Sequence, residues 1–433
     1  MLQFKLSKYG KRSSAPSAVN EMTGEFADNF REGIDVNLGV GYVNDKTIPL
    51  KEIAKAYEEI IHDPAKYRSA LNYGGGEGSL NLRKAIRNYY IKNKIGTLTP
   101  QKLAECNILI GADGATSILD SFADIIEPGY VITADPFYYI YTETLRRKGF
   151  DLLLVEEDDQ GIRIDLIEKA LSEIDIERIS FFYIVTVNNP TGTILSNDRR
   201  KKIVEISIEL SKKLKRKIPV IFDKAYEDII HNPDVPKPIS GLIYNTLGNV
   251  FEVGTLSKVI APALRIGYII TSDEEISGLL IQRTSDIGFS ASLINQEIAS
   301  WLIDNYIEIQ KKNVNFGFKE KAKAIKHLLH TELGNYLTEL RGGDAGFYFY
   351  LTLDGIETQE NSKFFNFLAR KTGIPEIDGV PDKLPRLIYV PGTICSSSLQ
   401  AKYQLRLSYG FEDIKVFAKA IAMIKEACDF AIT

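Results

Sequence analysis

The sequence predicts an α/β fold, a mainly parallel sheet with helices on both faces, joined to a smaller α+β unit. Three observations lead there. The middle of the chain alternates short β-branched or apolar runs with helical patterns, which is how strand–helix–strand units read. Each polar cluster in that region falls just after one of those runs, at the edge where open α/β sheets bind ligands. The chain has 433 residues, too many for one compact core.

Taken in order, residues 1 to about 60 read as a lead-in and a helix, Leu50 to Ile61, expected to pack on the smaller unit. A strand is expected over Asn107 to Ile110, ending at Gly111, then a helix from Ala115 to Ile126. Tyr130 to Thr133 leads to Asp135-Pro136. Asp151 to Val155 follows, and Ile179 to Val187 ends in Asn188-Asn189-Pro190-Thr191-Gly192. Val220 to Phe222 stops at Asp223 and Val250 to Val253 at Gly254, and Arg265 to Thr271 makes the last of a seven-stranded set. Leu293 to about Leu333 is helical in pattern, with an expected break over Asn313 to Gly317. Gly346 to Leu353, Leu387 to Val390 and Gln404 to Tyr409 read as strands, and a final helix starts near Asp413. The expected division is 61–310 for the large unit and 311–433 for the small one, which residues 1–60 join.

Composition narrows the function. The balance of 53 basic and 57 acidic residues gives no electrostatic case for nucleic acid or an anionic membrane. Lys212 to Lys217 reads as the solvated end of an amphipathic helix. Three cysteines without a CxxC pair argue against a disulfide framework and a zinc site, and the four histidines have no ligand-like spacing, so no metal is expected. The start of the chain lacks a secretory apolar core and no run approaches a membrane span, so a cytoplasmic protein is expected.

The chemistry gathers around Lys258, in Gly254-Thr255-Leu256-Ser257-Lys258, with Arg265 seven residues on. An amine beside small hydroxyls and a guanidinium suits an aldehyde-bearing phosphorylated cofactor. The amine forms a Schiff base, the hydroxyls of Thr255 and Ser257 donate to phosphate oxygens, and the arginine clamps them. Gly111-Ala112-Asp113-Gly114-Ala115 lets backbone amides approach a phosphate at a helix N-terminus; alone it reads more readily as a tight turn with Asp113 as N-cap. Tyr138 offers a flat ring for stacking, or is one more tyrosine in a chain with 22 of them. Asn189 lies in a turn by any reading, and its amide suits a phenolate oxygen. Asp223 at a strand end either caps a helix or pairs with a protonated pyridine nitrogen, and Tyr226 would reach the same ring. Arg406 inside an apolar strand implies an ion pair or a bound carboxylate.

Together these segments resemble the fold-type I aminotransferases that use pyridoxal 5'-phosphate, the class I/II group, in order and spacing from about residue 35 to 410. Tyr73-Gly74, Gly78 and Leu82-Arg83 resemble the family's YxxxxGxxxLR stretch, and Asn37 to Gly41 its N-terminal substrate segment. The Lys258-to-Arg265 step and Val390-Pro391-Gly392 are similar to the aminoadipate, kynurenine, aromatic and MocR-like branch. A regulator of that branch would need a DNA-reading module that is not seen before residue 35. The resemblance implies that Lys258, Asp223 and Tyr138 act in catalysis. Ala112, Asp113, Thr255, Ser257 and Arg265 would hold the phosphate, with Tyr73 from a partner subunit. Asn189, Asp223, Tyr138 and Tyr226 would hold the ring, and Gly41, Asn189 and Arg406 the substrate carboxylate.

The family often has Ser or Thr and Gln where Ala112 and Asp113 stand, so the Asp113 carboxylate is expected to turn away and cap the helix. Tyr42, Tyr139 and Arg283 are candidates for the substrate side-chain pocket. The expected activity is transfer of an amino group from an L-amino acid to a 2-oxo acid by a homodimer with sites at its interface. A carbon–sulfur β-lyase using the same cofactor is the near alternative. A non-catalytic module that senses the cofactor or an amino acid is the alternative of another class.

Overall fold

The computed structural model describes residues 4–17, 20, 29–68, 70–379 and 383–433. A short strand β1 (Val36–Asn37) precedes the main sheet. That sheet comprises β2 (Asn107–Ile110), β3 (Tyr130–Asp135), β4 (Asp151–Asp158), β5 (Gly161–Ile162), β6 (Ile179–Val185), β7 (Val220–Asp223), β8 (Val250–Thr255) and β9 (Gly267–Thr271). Their spatial order is β2-β9-β8-β7-β6-β3-β4-β5. Neighbours from β8 to β4 run parallel, and β9 is antiparallel to both β8 and β2. The expected seven strands are joined by an eighth, β5, a two-residue antiparallel return on β4 too short to show as an apolar run.

Strands covered on both faces need apolar residues in succession rather than alternation. β7 and β8 are buried throughout, and β6 is buried from Ile179 to Ile184. Val220 and Phe222 enter one core with Ile203 and Val204, while Ile221 enters the opposite one with Phe122 and Phe181. The helix Asn197–Leu214 that covers the first face is capped by Ser196 accepting from the Arg199 amide, and its basic end, Lys212 and Lys213, is exposed as expected.

A second sheet is antiparallel. It is made from β10 (Leu337–Gly342), β11 (Tyr348–Leu353), β13 (Val390–Pro391) and β14 (Gln404–Ser408), in the order β10-β11-β14-β13. Strand β12 (Leu387–Ile388) pairs in parallel with β1, tying the N-terminal segment to this part of the chain. No helix among the described residues is long and apolar enough to cross a membrane.

Three expectations are corrected. The helical stretch breaks at Tyr306, between Leu293–Asn305 and Ile307–Leu333, and not over Asn313 to Gly317. Val314, Phe318, Ala322, Ile325 and Leu329 recur on one buried stripe, and that burial outweighs the roughly 1 kcal/mol cost of a helical glycine. The helix Leu50–His62 packs against Leu293–Asn305, where Lys55 Nζ sits 5.5 Å from the Trp301 ring, instead of on the smaller unit. The last strand of the main sheet starts at Gly267, because Arg265 adopts a left-handed φ of 56°.

Candidate functional site

Loops leaving β3, β6, β7 and β8 converge with Arg406 of β14 and with the segment following β1. Lys258 lies three residues beyond β8, and its Nζ donates to the Gly41 carbonyl at 3.0 Å. Its amine is also 5.5 Å from the Tyr226 ring centre and 5.8 Å from that of Phe347. Burial, then repulsion from Arg265 and Arg406, brings the Lys258 pKa down to about 8 against the pull of Asp223.

Asp223 is the last residue of β7, and the buried strand carries its carboxylate inside. Oδ2 accepts from the Tyr183 hydroxyl at 2.8 Å and Oδ1 from the Ala225 amide at 3.0 Å. Burial raises its pKa, opposed by those two hydrogen bonds and by Lys258. Among the described residues no cation pairs directly with Asp223. Tyr138 stands at the start of the helix Tyr139–Lys148, and burial followed by the Asp223 charge drives its pKa up. The phenol therefore stays protonated beside the acid.

Arg406 is only 2% exposed. Its Nη1 donates to Asn189 Oδ1 at 2.8 Å and its Nη2 to the Gly39 carbonyl, while Nε has no partner. The guanidinium lies 4.6 Å from the Tyr348 ring centre and 5.9 Å from that of Tyr139. Among the described residues no carboxylate pairs with it. A structural ion pair, one of the two sequence readings, is thus not what holds this arginine.

At the opposite end, the β2 turn is tied to the residues preceding β9. The Gly111 amide donates to the Gly267 carbonyl at 3.0 Å and that of Gly114 to Arg265 at 2.8 Å. A Cβ on Gly267 would stand 2.2 Å from the Ala115 nitrogen, so only glycine permits this approach. Thr255 Oγ1 donates to the Ile266 carbonyl (2.8 Å) and accepts from the Ser257 amide (3.1 Å), which sets Ser257 beside Lys258.

Asp113 departs from expectation. Its side chain makes no capping hydrogen bond; instead Oδ1 accepts from Arg265 Nε at 2.5 Å. Its amide donates to Ser117 Oγ at 2.8 Å, which leaves the Ala112 amide as the one without a hydrogen bond to the described residues. A short exposed carboxylate next to a guanidinium gains more from that charge than from a helix end. Arg283, a pocket candidate, pairs with Asp124 at 2.8 Å on the helix Glu274–Asp286 and is not part of the site. Tyr42 is exposed and edge-on to Phe411. Tyr73 is 85% exposed, beside Phe289, and borders a surface cavity of about 530 Å³ that also touches Ala112 and Asp113.

Some residues escaped the sequence reading. Tyr183, inside β6, and Tyr348, opening β11, looked like core aromatics, yet their hydroxyls meet Asp223 and Tyr226. Behind Asp223, Lys224 Nζ pairs with Glu252 (2.9 Å) and Glu227 (3.1 Å), and Glu227 with Arg200 (2.5 Å). Burial would raise the Glu227 pKa, but Arg200 and Lys224 outweigh it and hold it down to about 2. This buried network anchors the loop from Asp223 to Tyr226.

The family described as aminotransferase class I and II matches residues 34–375. The chain is similar to an uncharacterized HTH-type transcriptional regulator, YisV, of Bacillus subtilis, at 26% identity over 89% of this chain and 73% of that protein. It is also similar to aromatic-amino-acid aminotransferase 1 of Thermococcus litoralis, at 23% identity over 75% of each. Among solved structures, the multiple substrate aminotransferase of Thermococcus profundus superposes with a TM-score of 0.81 at 22% identity, covering 99% of this chain and 98% of that one. The kynurenine aminotransferase of Pyrococcus horikoshii does so with 0.81 at 21%, covering 98% and 96%.

Proposed function

Because this chain belongs to the aminotransferase class I and II family and is a pyridoxal-phosphate-dependent transferase, we propose that it moves an amino group from an L-amino acid to a 2-oxo acid. The donor set suits that cofactor. Asp223 is a buried acid without a paired cation among the described residues, and so suits a ring N–H. Lys258 is an amine of lowered basicity, and Arg265 stands by the start of the helix Gly114–Ile125. When bound, pyridoxal phosphate supplies an aldehyde that condenses with amines and a ring that takes up the electrons released at the substrate α-carbon.

The chain's own residues do the rest. Asp223 keeps a proton on the ring nitrogen, and Tyr183 and the Ala225 amide keep Asp223 ionised and aimed. Tyr138 would lie against the ring, with Asn189 and Tyr226 toward its hydroxyl. Arg265, Ser257, Thr255 and the Ala112 amide would hold the phosphate. Lys258 Nζ, as free amine, would take the substrate α-proton and hold it for return. Arg406 grips the substrate carboxylate with Asn189 and the backbone near Gly41. We also infer a homodimer, in which Tyr73 of one copy completes the phosphate site of the other across the face that carries Phe289.

The observation that carries this reading is Arg406: a buried guanidinium beside Asn189 that has, among the described residues, an unpartnered Nε and no acid to neutralise it. The test mixes the holoenzyme with each amino acid and follows the cofactor's visible absorption. Conversion to the amine form by some amino acid, reversed by a 2-oxo acid, supports the proposal. Release of pyruvate and ammonia from cystathionine without an oxo acid would favour a β-lyase. Absorption that never changes with any amino acid would favour a sensing role.

A further inference from the structure

The hydroxyls of Tyr226 and Tyr348 lie 2.7 Å apart within the site. The rings meet edge to face, with centres 5.5 Å apart and planes at 70°. Both side chains are buried, Tyr348 to 1% exposure. Gly41 closes over the pair: a Cβ there would stand 2.6 Å from the Tyr348 hydroxyl oxygen. The same Gly41 offers its carbonyl to Lys258.

A phenol has a single proton to donate. Burial raises both pKa values, with the Tyr348, Tyr138 and Arg406 groups facing Tyr226, so both phenols remain protonated. If Tyr226 commits its proton to Tyr348, none remains for the cofactor's ring oxygen. If Tyr348 donates instead, the Tyr226 proton is free to point outward. No other hydrogen bond of either hydroxyl to the described residues decides between the two directions.

We propose that Tyr348 is a positioning residue for the reaction, donating to Tyr226 so that Tyr226 in turn donates to the cofactor's ring oxygen. The inference rests on the role given to Tyr226 above. Hydrogen bonds in a chain polarise one another, so the outward bond is stronger for having Tyr348 behind it. Donation to that oxygen draws off the negative charge that would otherwise hold a proton on the lysine-bound nitrogen. The pair therefore lowers the pH at which this nitrogen deprotonates; Arg265, Arg406 and Asp223 are the charged groups that also face the Lys258 side chain.

The test is a pH titration of the visible absorption of the lysine-bound cofactor in four holoenzymes: the parent, Tyr348→Phe, Tyr226→Phe and the double variant. Phenylalanine keeps the ring against Arg406 and removes only the hydroxyl. Tyr348→Phe is expected to raise the midpoint by about 0.1 to 0.7 unit, Tyr226→Phe by more, and the double variant no further than Tyr226→Phe. An unchanged midpoint in Tyr348→Phe overturns the proposal. So does an equal further rise in the Tyr226→Phe background, since Tyr348 would then act by another route. The titration precedes any amino acid, so its result is independent of whether an amino donor is found.

Discussion

Asn189 and Arg406 hydrogen-bond at 2.8 Å, one from the loop after β6 in the main sheet and the other from β14 in the second. The contact holds the guanidinium in a fixed plane, so two of its edges meet the protein and a third face is left for a ligand. Lysine cannot reproduce a planar fork. Arg406→Lys is expected to raise the KM for the amino donor about 10- to 150-fold, the worth of a charge-assisted hydrogen bond. The cofactor's absorption should be unchanged. Steady-state kinetics with the donor found by the screen checks this, and a KM within a factor of two would refute the carboxylate role.

On the proposed mechanism, Lys258→Ala removes both the covalent anchor and the base. Turnover should fall at least 10² to 10⁴-fold, the range general-base catalysis supplies. The phosphate and ring contacts remain, so equilibrium dialysis should still find bound cofactor. A variant that transaminates at the parent rate would rule out Lys258.

The lowered pKa of Lys258, about 8, predicts how the apoprotein captures its cofactor. The unprotonated amine attacks the aldehyde, so the capture rate should climb with pH up to about 8 and level off above it. At pH 7 about one-tenth of Lys258 would be free amine, against about 0.03% for an ordinary lysine. The linked stability runs in the same direction: the folded state binds fewer protons than the unfolded one between about pH 8 and 10.5, so this group's penalty eases as pH rises. Stopped-flow absorbance across pH tests the rate, and a climb that continues to pH 10 would contradict it.

Asp113 neutralises the arginine that is to bind phosphate. Asp113→Asn keeps an acceptor for Arg265 Nε and removes the charge. Cofactor affinity should tighten, by up to about 5-fold because the pair is well exposed, and more at low than at high salt. Fluorescence titration of the apoprotein measures it. Weaker binding would mean that the carboxylate serves to orient Arg265.

Much of the fold could be read from the chain because strands β6, β7 and β8 are buried on both faces, and such strands show as unbroken apolar runs. The polar residues at or just beyond their ends, Asn189, Asp223 and Lys258, stood out for the same reason. The hydroxyls of Tyr183 and Tyr348 did not, since a buried tyrosine in a strand reads as packing until its partner, 40 or 122 residues away, is placed. Glu252 was hidden likewise: its partners come from two separate turns, Lys224 from one and Ser240 and Gly241 from the other. At Asp113 the sequence showed a helix start, and only the backbone reversal at Arg265 reveals the guanidinium that captures its carboxylate.

On the proposed reading, substrate grip and bond-breaking sit on different scaffolds: Arg406 belongs to the antiparallel second sheet, Asp223 and Lys258 to the ends of β7 and β8 in the main sheet. A rotation of one body against the other would change the reach between anchor and base without disturbing the internal geometry of either. On that reading the length of an acceptable donor would be gauged by how the two sheets approach one another, and substitutions around β14 would retune which donors are handled while the ends of β7 and β8 stay as they are.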